Sequence, residues 1–102
     1  MRIVQAAVAG TLESSDVMVR VSPAPPEQER EQVDVVVTSS VMAQYGDAIT
    51  AVVHDTLDRL GLRAGQVVVE DKGALDCTLR ARVQAACLRG SGSPDDIDWG
   101  AL

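Results

Sequence analysis

The amino-terminal part of the chain contains two short apolar runs separated by a polar segment. The runs cover residues 6–9 and 17–21, and residues 10–16 join them. Short runs of alternating apolar character predict β-strands. The hydroxyl and carboxylate side chains of the joining segment favour a turn, because they form hydrogen bonds with nearby backbone groups. The pattern therefore predicts a β-hairpin with Ser14 and Ser15 at its exposed tip.

The hydroxyl of Ser14 lies between two acidic neighbours in the sequence, Glu13 and Asp16. A serine needs a nearby base to act as a nucleophile, and no histidine is close to it in sequence. An exposed hydroxyl on a hairpin is, however, a suitable acceptor for a group that another enzyme attaches. The two carboxylates are expected to help in partner docking or in shaping the turn.

The period of the apolar residues changes after the hairpin. Residues 22–32 are rich in proline and charge, which predicts a solvated loop. The β-branched residues at 33–39 predict a third strand. Apolar residues then recur every three or four positions over 41–60, which predicts an amphipathic helix that ends at Gly61. The predicted buried stripe of this helix comprises Met42, Tyr45, Ile49, Val53, Leu57 and Leu60.

A fourth strand and a second helix are predicted in the remaining part of the chain. Residues 66–70 have the strand pattern, and residues 74–89 have the helical one. Asp71 precedes this helix and is expected to cap its amino terminus. The predicted buried stripe of the second helix comprises Leu75, Leu79, Val83 and either Ala86 or Cys87.

These elements predict an α+β domain with the chain order β-β-β-α-β-α. The first three strands are expected to form an antiparallel meander, because short connections favour neighbouring strands. The third and fourth strands, with a helix between them, are expected to form a right-handed crossover. The result is a small, mainly antiparallel sheet with two helices on one face. The domain is assigned to residues 1–90, and residues 91–102 are expected to form a flexible acidic tail.

The size and charge of the chain limit its possible functions. A chain of 102 residues has room for one ordinary domain. Its net charge of −6 disfavours binding to nucleic acids and anionic membranes and suits basic protein partners. No apolar run approaches the roughly 20 residues needed to cross a bilayer, and no signal peptide is recognisable. A soluble, cytoplasmic protein is expected.

The residues that most often form catalytic or metal sites show no such pattern. His54 is the sole histidine and is expected on the solvated surface of the first helix. Cys77 and Cys87 would lie about 15 Å apart along one helix, which is too far for a disulfide bond. Both are expected to be ordinary small apolar residues. The sequence therefore predicts no metal, no catalytic residue and no independent enzyme activity.

Two further features leave alternatives open. Arg80, Arg82 and Arg89 give the second helix a basic face on an acidic protein. This face is either solvated or in contact with other subunits or with phosphate groups. Trp99 in the acidic tail could anchor a partner, or it could have no role.

Three segments resemble the acyl carrier (gamma) subunit of citrate lyase. They are residues 7–20, 44–49 and 71–82, which have the right order within a chain of the right length. The resemblance implies that Ser14 carries a covalently attached prosthetic group, 2'-(5''-phosphoribosyl)-3'-dephospho-coenzyme A, through a phosphodiester. The family pattern often has glycine after that serine, where this chain has Ser15, so Ser15 is the second candidate.

The same resemblance implies a carrier without catalytic activity of its own. The group would carry acetyl and citryl thioesters between an alpha subunit that exchanges acyl groups and a beta subunit that cleaves citryl to oxaloacetate. A separate transferase would attach the group. Two other hypotheses stay open, namely a carrier of a related complex, such as citramalate lyase or malonate decarboxylase, and an interaction subunit whose serine is never modified.

Overall fold

The computed structural model describes residues 1–25, 31–40 and 42–92, with only the backbone for 42–44. The chain order of its elements is the predicted one. These are β1 (Ala7–Gly10), β2 (Val17–Ser22), β3 (Val33–Ser39), α1 (Met42–Leu60), β4 (Gly65–Asp71) and α2 (Asp76–Ser91).

The four strands form one mixed sheet in the order β1-β2-β4-β3. β1 and β2 are antiparallel, as are β2 and β4, while β3 and β4 are parallel. These pairings confirm the hairpin, the mainly antiparallel sheet and the parallel pairing of the strands on either side of α1.

The predicted meander of the first three strands is wrong, because β4 lies between β2 and β3. The connection over residues 23–32 is long enough that β3 need not lie beside β2. Burial explains which strand takes the central place. Val67 and Val69 of β4 are fully buried, whereas no residue of β3 is buried. The strand with the more completely buried face is paired on both edges.

Both helices cover the same face of the sheet, as predicted. Helix α2 packs on β1 and β2, α1 packs on β3, and the two helices contact each other. The largest fully buried apolar side chains come from the sheet and from both helices: Val17, Val19, Val67, Val69, Val53, Leu79 and Val83. The hairpin turn extends from one end of the sheet that this aliphatic core holds in place.

Two residues predicted to be buried are instead exposed. Tyr45 in the first turns of α1 is 56% exposed, and Leu75 is 72% exposed. Leu75 lies outside the stripe because α2 begins at Asp76, one position later, and the backbone of Leu75 is extended. Both side chains lie near the end of the sheet that carries the hairpin turn, and the next section returns to them.

The carboxyl-terminal boundary of the second helix lies close to the predicted one. Helix α2 ends at Ser91, and Gly92 follows in a left-handed conformation that terminates it. Residues 93–102, which include Trp99 and most of the predicted tail, lie outside the described residues, as do residues 26–30 of the proline-rich loop. No helix in the described part of the chain has the length and apolar composition needed to cross a bilayer.

Candidate functional site

The loop between β1 and β2 carries the predicted acceptor serine. Ser14 is exposed, and its hydroxyl has no hydrogen-bond partner among the described residues. Ser15 is also exposed, but its backbone is left-handed, with a φ of 66°. The Asp16 amide donates to the carbonyl of Glu13 at 3.1 Å, which closes the turn. The structure thus places both candidate hydroxyls at the tip of a tight loop, as predicted.

The carboxylate of Asp16 holds this loop together. One of its oxygens accepts hydrogen bonds from the Thr11 amide at 3.1 Å and the Thr11 hydroxyl at 2.7 Å. The other oxygen accepts a bond from the Val17 amide at 2.8 Å. The Thr11 hydroxyl in turn accepts a bond from the Glu13 amide at 3.2 Å. Asp16 therefore shapes the turn, which was one of its two expected roles.

Arg82 of α2 connects the loop to the helix layer. Its guanidinium forms two bonds with Asp16, from Nε to Oδ1 at 3.2 Å and from Nη2 to Oδ2 at 3.4 Å. The Thr11 hydroxyl, the Val17 amide and Arg82 together lower the pKa of Asp16 to about 2. The carboxylate is therefore charged at neutral pH, and the loop position is fixed by a two-point ion pair.

The other two arginines of α2 also bind within the domain. Arg80 donates to the Asp55 carboxylate at 2.7 Å and to the Thr56 hydroxyl at 3.2 Å. Its hydrogen bond is the largest effect that lowers the pKa of Asp55. Arg89 donates to the Val8 carbonyl at 2.8 Å. These side chains stay partly or fully exposed, as the solvated face implied, and they also connect α2 to α1, to β1 and, through Arg82, to the hairpin loop.

A second turn, residues 72–75, lies directly beside the hairpin loop. The Ser15 amide donates to the Lys72 carbonyl at 2.8 Å, and the Lys72 amide donates to the Asp16 carbonyl at 2.9 Å. These bonds continue the antiparallel pairing of β2 with β4 past the ends of both strands. Lys72 is exposed, and no carboxylate among the described residues pairs with its ammonium. The backbone of this lysine is therefore bonded directly to the loop that carries the candidate serines.

The second turn is held by Asp71, which is only 2% exposed. Its carboxylate accepts bonds from the Gly73 amide at 3.1 Å, the Ala74 amide at 3.0 Å and the Ser39 hydroxyl at 2.7 Å. Asp71 was expected to cap α2, but that expectation is wrong. The N-cap residue is Leu75, which has no side-chain cap, because the Asp71 carboxylate reaches only the two amides that precede it.

An open groove lies between the start of α1 and this second turn. It has a volume of about 440 Å³. Its apolar lining includes the ring of Tyr45 and the side chain of Leu75, and the acidic Asp71 and Asp76 lie in its wall. The lining also contains Ala48, Ile49, Gly73 and Ala74. Asp71 and Gly73, the residues on either side of Lys72, line the groove, and the backbone of Lys72 is bonded to the hairpin loop.

The remaining candidate residues behave largely as expected. Cys87 is buried, and burial raises the pKa of its thiol to about 12. Cys77 is exposed, so the expectation of an apolar packing role is wrong for it. His54 is exposed, as predicted. No group of three or more His, Cys, Asp or Glu side chains within the described ranges could bind a metal.

Comparison with known proteins identifies the class of this fold and site. A family model described as the acyl carrier protein, malonate decarboxylase delta subunit (MdcD), matches residues 4–90. A chain in a crystal structure of a Pseudomonas malonate decarboxylase hetero-tetramer has the same fold, with a TM-score of 0.65. That chain is 19% identical, over 83% of this chain and 82% of that one. The chain is therefore an acyl carrier protein.

Closer relatives specify the family further. The citrate lyase acyl carrier proteins of Albidiferax ferrireducens and Haemophilus influenzae are 51% and 50% identical over 102 residues, which is all of this chain and 99% of each relative. That of Pectobacterium atrosepticum is 47% identical over the whole of both chains. The chain belongs to the citrate lyase acyl carrier protein family, as the sequence predicted. Its function is that of a non-catalytic carrier.

The sequence-based interpretation missed Lys72, the groove and the contact of Arg82 with Asp16. The signal was present in the three segments that resemble the family. Residues 7–20 contain the hairpin loop, residues 44–49 contain the start of the groove wall, and residues 71–82 contain the second turn and Arg82. The fold brings all three segments to one end of the domain.

Proposed function

We propose that this carrier serves citrate lyase through a prosthetic group attached to Ser14. The group is 2'-(5''-phosphoribosyl)-3'-dephospho-coenzyme A, linked through a phosphodiester to the serine oxygen. The observation that supports this most strongly is the unpartnered, exposed hydroxyl of Ser14 at the tip of a loop that is otherwise densely hydrogen-bonded. A transferase can reach such a hydroxyl, and modifying it breaks no bond that the fold needs.

The charges around the loop suit a phosphodiester. Asp16 is neutralised by Arg82, so it repels an added phosphate less than an unpaired carboxylate would. Lys72 adds an unpaired positive charge beside the loop. Glu13 is the remaining carboxylate of the loop, and it is exposed to solvent, where screening is strong. The residues present therefore fit an anionic group at this position.

The backbone favours Ser14 over Ser15 as the acceptor. Ser15 has a left-handed conformation, which glycine adopts at lower cost than other residues. This explains why the related pattern often has glycine at that position. Its amide is also bonded to the Lys72 carbonyl, so the backbone of Ser15 takes part in the turn. Ser14 precedes it with neither a left-handed backbone nor, among the described residues, a backbone bond to the second turn, which supports the first of the two candidate sites.

The chain's own part in the reaction is to hold and present the group. When attached, the group supplies a terminal thiol that carries acyl groups. The hairpin loop keeps the attachment point at the surface, and the ion pair with α2 keeps the loop in one position relative to the domain. Tethering then gives the acyl group a high effective concentration at each active site that it reaches.

The proposed partners are the alpha subunit, which exchanges acyl groups, the beta subunit, which cleaves citryl to oxaloacetate, and the transferase that attaches the group. The net charge of −6 suits basic docking surfaces on these proteins. The proposal keeps the cytoplasmic location expected from the sequence.

Intact-mass measurement tests the attachment site. The carrier and its Ser14→Ala variant are each co-expressed with the modifying enzymes and weighed, and the adduct is mapped by peptide fragmentation. The unmodified chain should gain the mass of the prosthetic group, and Ser14→Ala should lack it while remaining folded, because Ser14 buries little surface. Ser15→Gly is the matched control and should be loaded normally. An adduct on Ser15 would move the site, and no adduct with active modifying enzymes would refute the proposal.

A related complex is the second candidate. The family model carries the description of the malonate decarboxylase delta subunit, and a chain of the malonate decarboxylase structure has the same fold. The loaded carrier should therefore be combined with the catalytic subunits of citrate lyase and of malonate decarboxylase. We expect turnover with citrate alone, since the full-length relatives near 50% identity are citrate lyase carriers.

A further inference from the structure

We propose that the groove between α1 and the second turn binds the adenosine part of the prosthetic group, with Lys72 beside the phosphodiester. This inference rests on the proposed attachment at Ser14. It concerns the portion of the arm nearest to the protein, namely the sugar and adenine that follow the phosphodiester. The remainder of the arm, with its thiol, would extend from the groove.

The position of the groove supports this assignment. The Ser15 amide is bonded to the Lys72 carbonyl at 2.8 Å, and the next residue, Gly73, lines the groove. The loop that carries Ser14 and the lining of the groove are therefore connected through the backbone of Lys72. The volume of about 440 Å³ lies within the usual range for small-molecule sites.

The groove lining has the properties of a nucleobase site. Tyr45 and Leu75 are two of the large apolar side chains that the described fold leaves most exposed, at 56% and 72%. Exposed apolar surface concentrated beside a site generally marks a contact region. An aromatic ring at the surface also offers a face on which a base can stack, and such stacking occurs with every base.

The charges of the residues around the groove indicate which part of the arm each residue would contact. Lys72 is cationic and unpaired among the described residues, so it suits the phosphodiester at the loop. Asp71 is occupied by its three hydrogen bonds. Asp76 at the groove wall is exposed and would repel a phosphate, but it can accept a bond from an exocyclic amino group. The groove therefore favours the uncharged base over the charged diphosphate of the arm.

Nuclear magnetic resonance of the loaded carrier tests the inference without an activity assay. Isotope-labelled apo and loaded protein are compared after intact mass has established the adduct. We expect nuclear Overhauser contacts between the adenine protons and the Tyr45 ring, and shifts of the Gly73 and Ala74 amides. Lys72→Gln should shift the phosphorus resonance of the phosphodiester. The outer face of the sheet, which includes Val36, should keep its apo spectrum.

Variants separate docking from folding. Tyr45→Ala removes the stacking face and should abolish the adenine contacts in the loaded protein, whereas Tyr45→Phe should retain them. Val36→Ala is the matched control, since Val36 is 54% exposed but lies on the opposite face of the sheet. All three should give well-dispersed spectra, because none of the altered side chains belongs to the core.

The outcomes distinguish the two proposals. Adenine contacts that Tyr45→Ala removes would support the docking site. A confirmed Ser14 adduct with apo-like groove shifts would overturn it and leave the carrier function intact. Groove shifts that arise only when a catalytic subunit is added would also overturn it, by assigning the groove to a protein partner. Absence of any adduct would refute the attachment and the docking site together.

Discussion

Two neighbouring turns, residues 11–16 and residues 72–75, lie at the same end of the domain and are each organised by one aspartate. Asp16 is charge-paired with Arg82 and also binds the Thr11 and Val17 amides. Asp71 has no ion pair among the described residues and is bonded to two amides and one hydroxyl. The first aspartate lies partly at the surface, and the second is almost completely buried.

The difference reflects what each turn must do. The first turn carries two exposed serines, and its anchoring aspartate is bonded to the guanidinium of Arg82 in the helix layer. The carboxylate that anchors the second turn lies in the interior of the domain. It connects β3, β4 and the residues that precede α2. The hairpin loop is thus held by an ion pair that is accessible to solvent and sensitive to pH, whereas the second turn is held by a buried carboxylate.

Glycine-to-alanine substitutions at the two turns should give the largest difference in the free energy of unfolding. A Cβ at Gly10 would lie 1.8 Å from the Val17 carbonyl oxygen, in a backbone with a φ of +86°. Because that oxygen belongs to the backbone of the paired strand, Gly10→Ala should cost more than about 3 kcal/mol in the free energy of unfolding. Gly73 also has a positive φ, but a Cβ there meets nothing within 4 Å. Gly73→Ala should cost about 1 kcal/mol. Urea denaturation measures both, and equal losses would contradict the comparison.

Removal of the buried anchor is the next largest effect. Asp71→Ala leaves the Gly73 and Ala74 amides and the Ser39 hydroxyl without their acceptor. Partly buried donors without a partner are costly, so the free energy of unfolding should fall by about 2–3 kcal/mol.

The control is Glu70→Ala on the same strand, whose ion pair with Arg20 lies at the surface at 3.5 Å. Surface pairs contribute little, so this variant should change stability by less than about 1 kcal/mol. A loss of similar size in both variants would argue against a structural role of Asp71.

The exposed anchor should respond to pH. The pKa of Asp16 is about 2 in the folded protein, below its ordinary 3.8. A depressed pKa stabilises the fold above pH 3.8, and this contribution is lost as the pH falls from about 4 to 2. Arg82→Gln should raise the pKa toward 3.8 without reaching it, since the bonds from Thr11 and Val17 remain. Carbon-13 titration of the Asp16 carboxyl gives the value. Arg80→Gln, which breaks the contact with Asp55 instead, should leave it unchanged.

Local patterns were sufficient to predict the elements of this fold but not their full arrangement. The alternating valines of β2, the run of three valines in β4 and the three-to-four spacing around Val53 depend on neighbours in sequence, and they predicted strands and helices close to the observed bounds. The position of β4 depends on the relative burial of two strands that are far apart in sequence. The exposure of Tyr45, which lines the groove, depends on which elements pack against the first turns of α1. Neither property is encoded in a local period.

How much of the candidate site could be predicted depends on how far apart in sequence its residues lie. Ser14 was proposed as the acceptor because its turn is a local feature and its segment resembles a known family. Arg82 lies 66 positions from Asp16, and the Lys72 carbonyl meets the Ser15 amide only through the pairing of β2 with β4. Contacts between such distant positions follow from tertiary structure, so the sequence offered only their membership in the resembling segments.

The central place of β4 has a consequence for how the chain folds. The hairpin of β1 and β2 can pair as soon as it is synthesised, but neither it nor β3 finds its neighbour until residues 65–71 are available. Sheets completed by such non-local pairing fold slowly relative to helical bundles. Until then, two strand edges remain open to other chains, which is a known route to aggregation. The chain therefore acquires its structure late in synthesis and as a unit, and the serine loop reaches its final position beside residue 72 only at that stage.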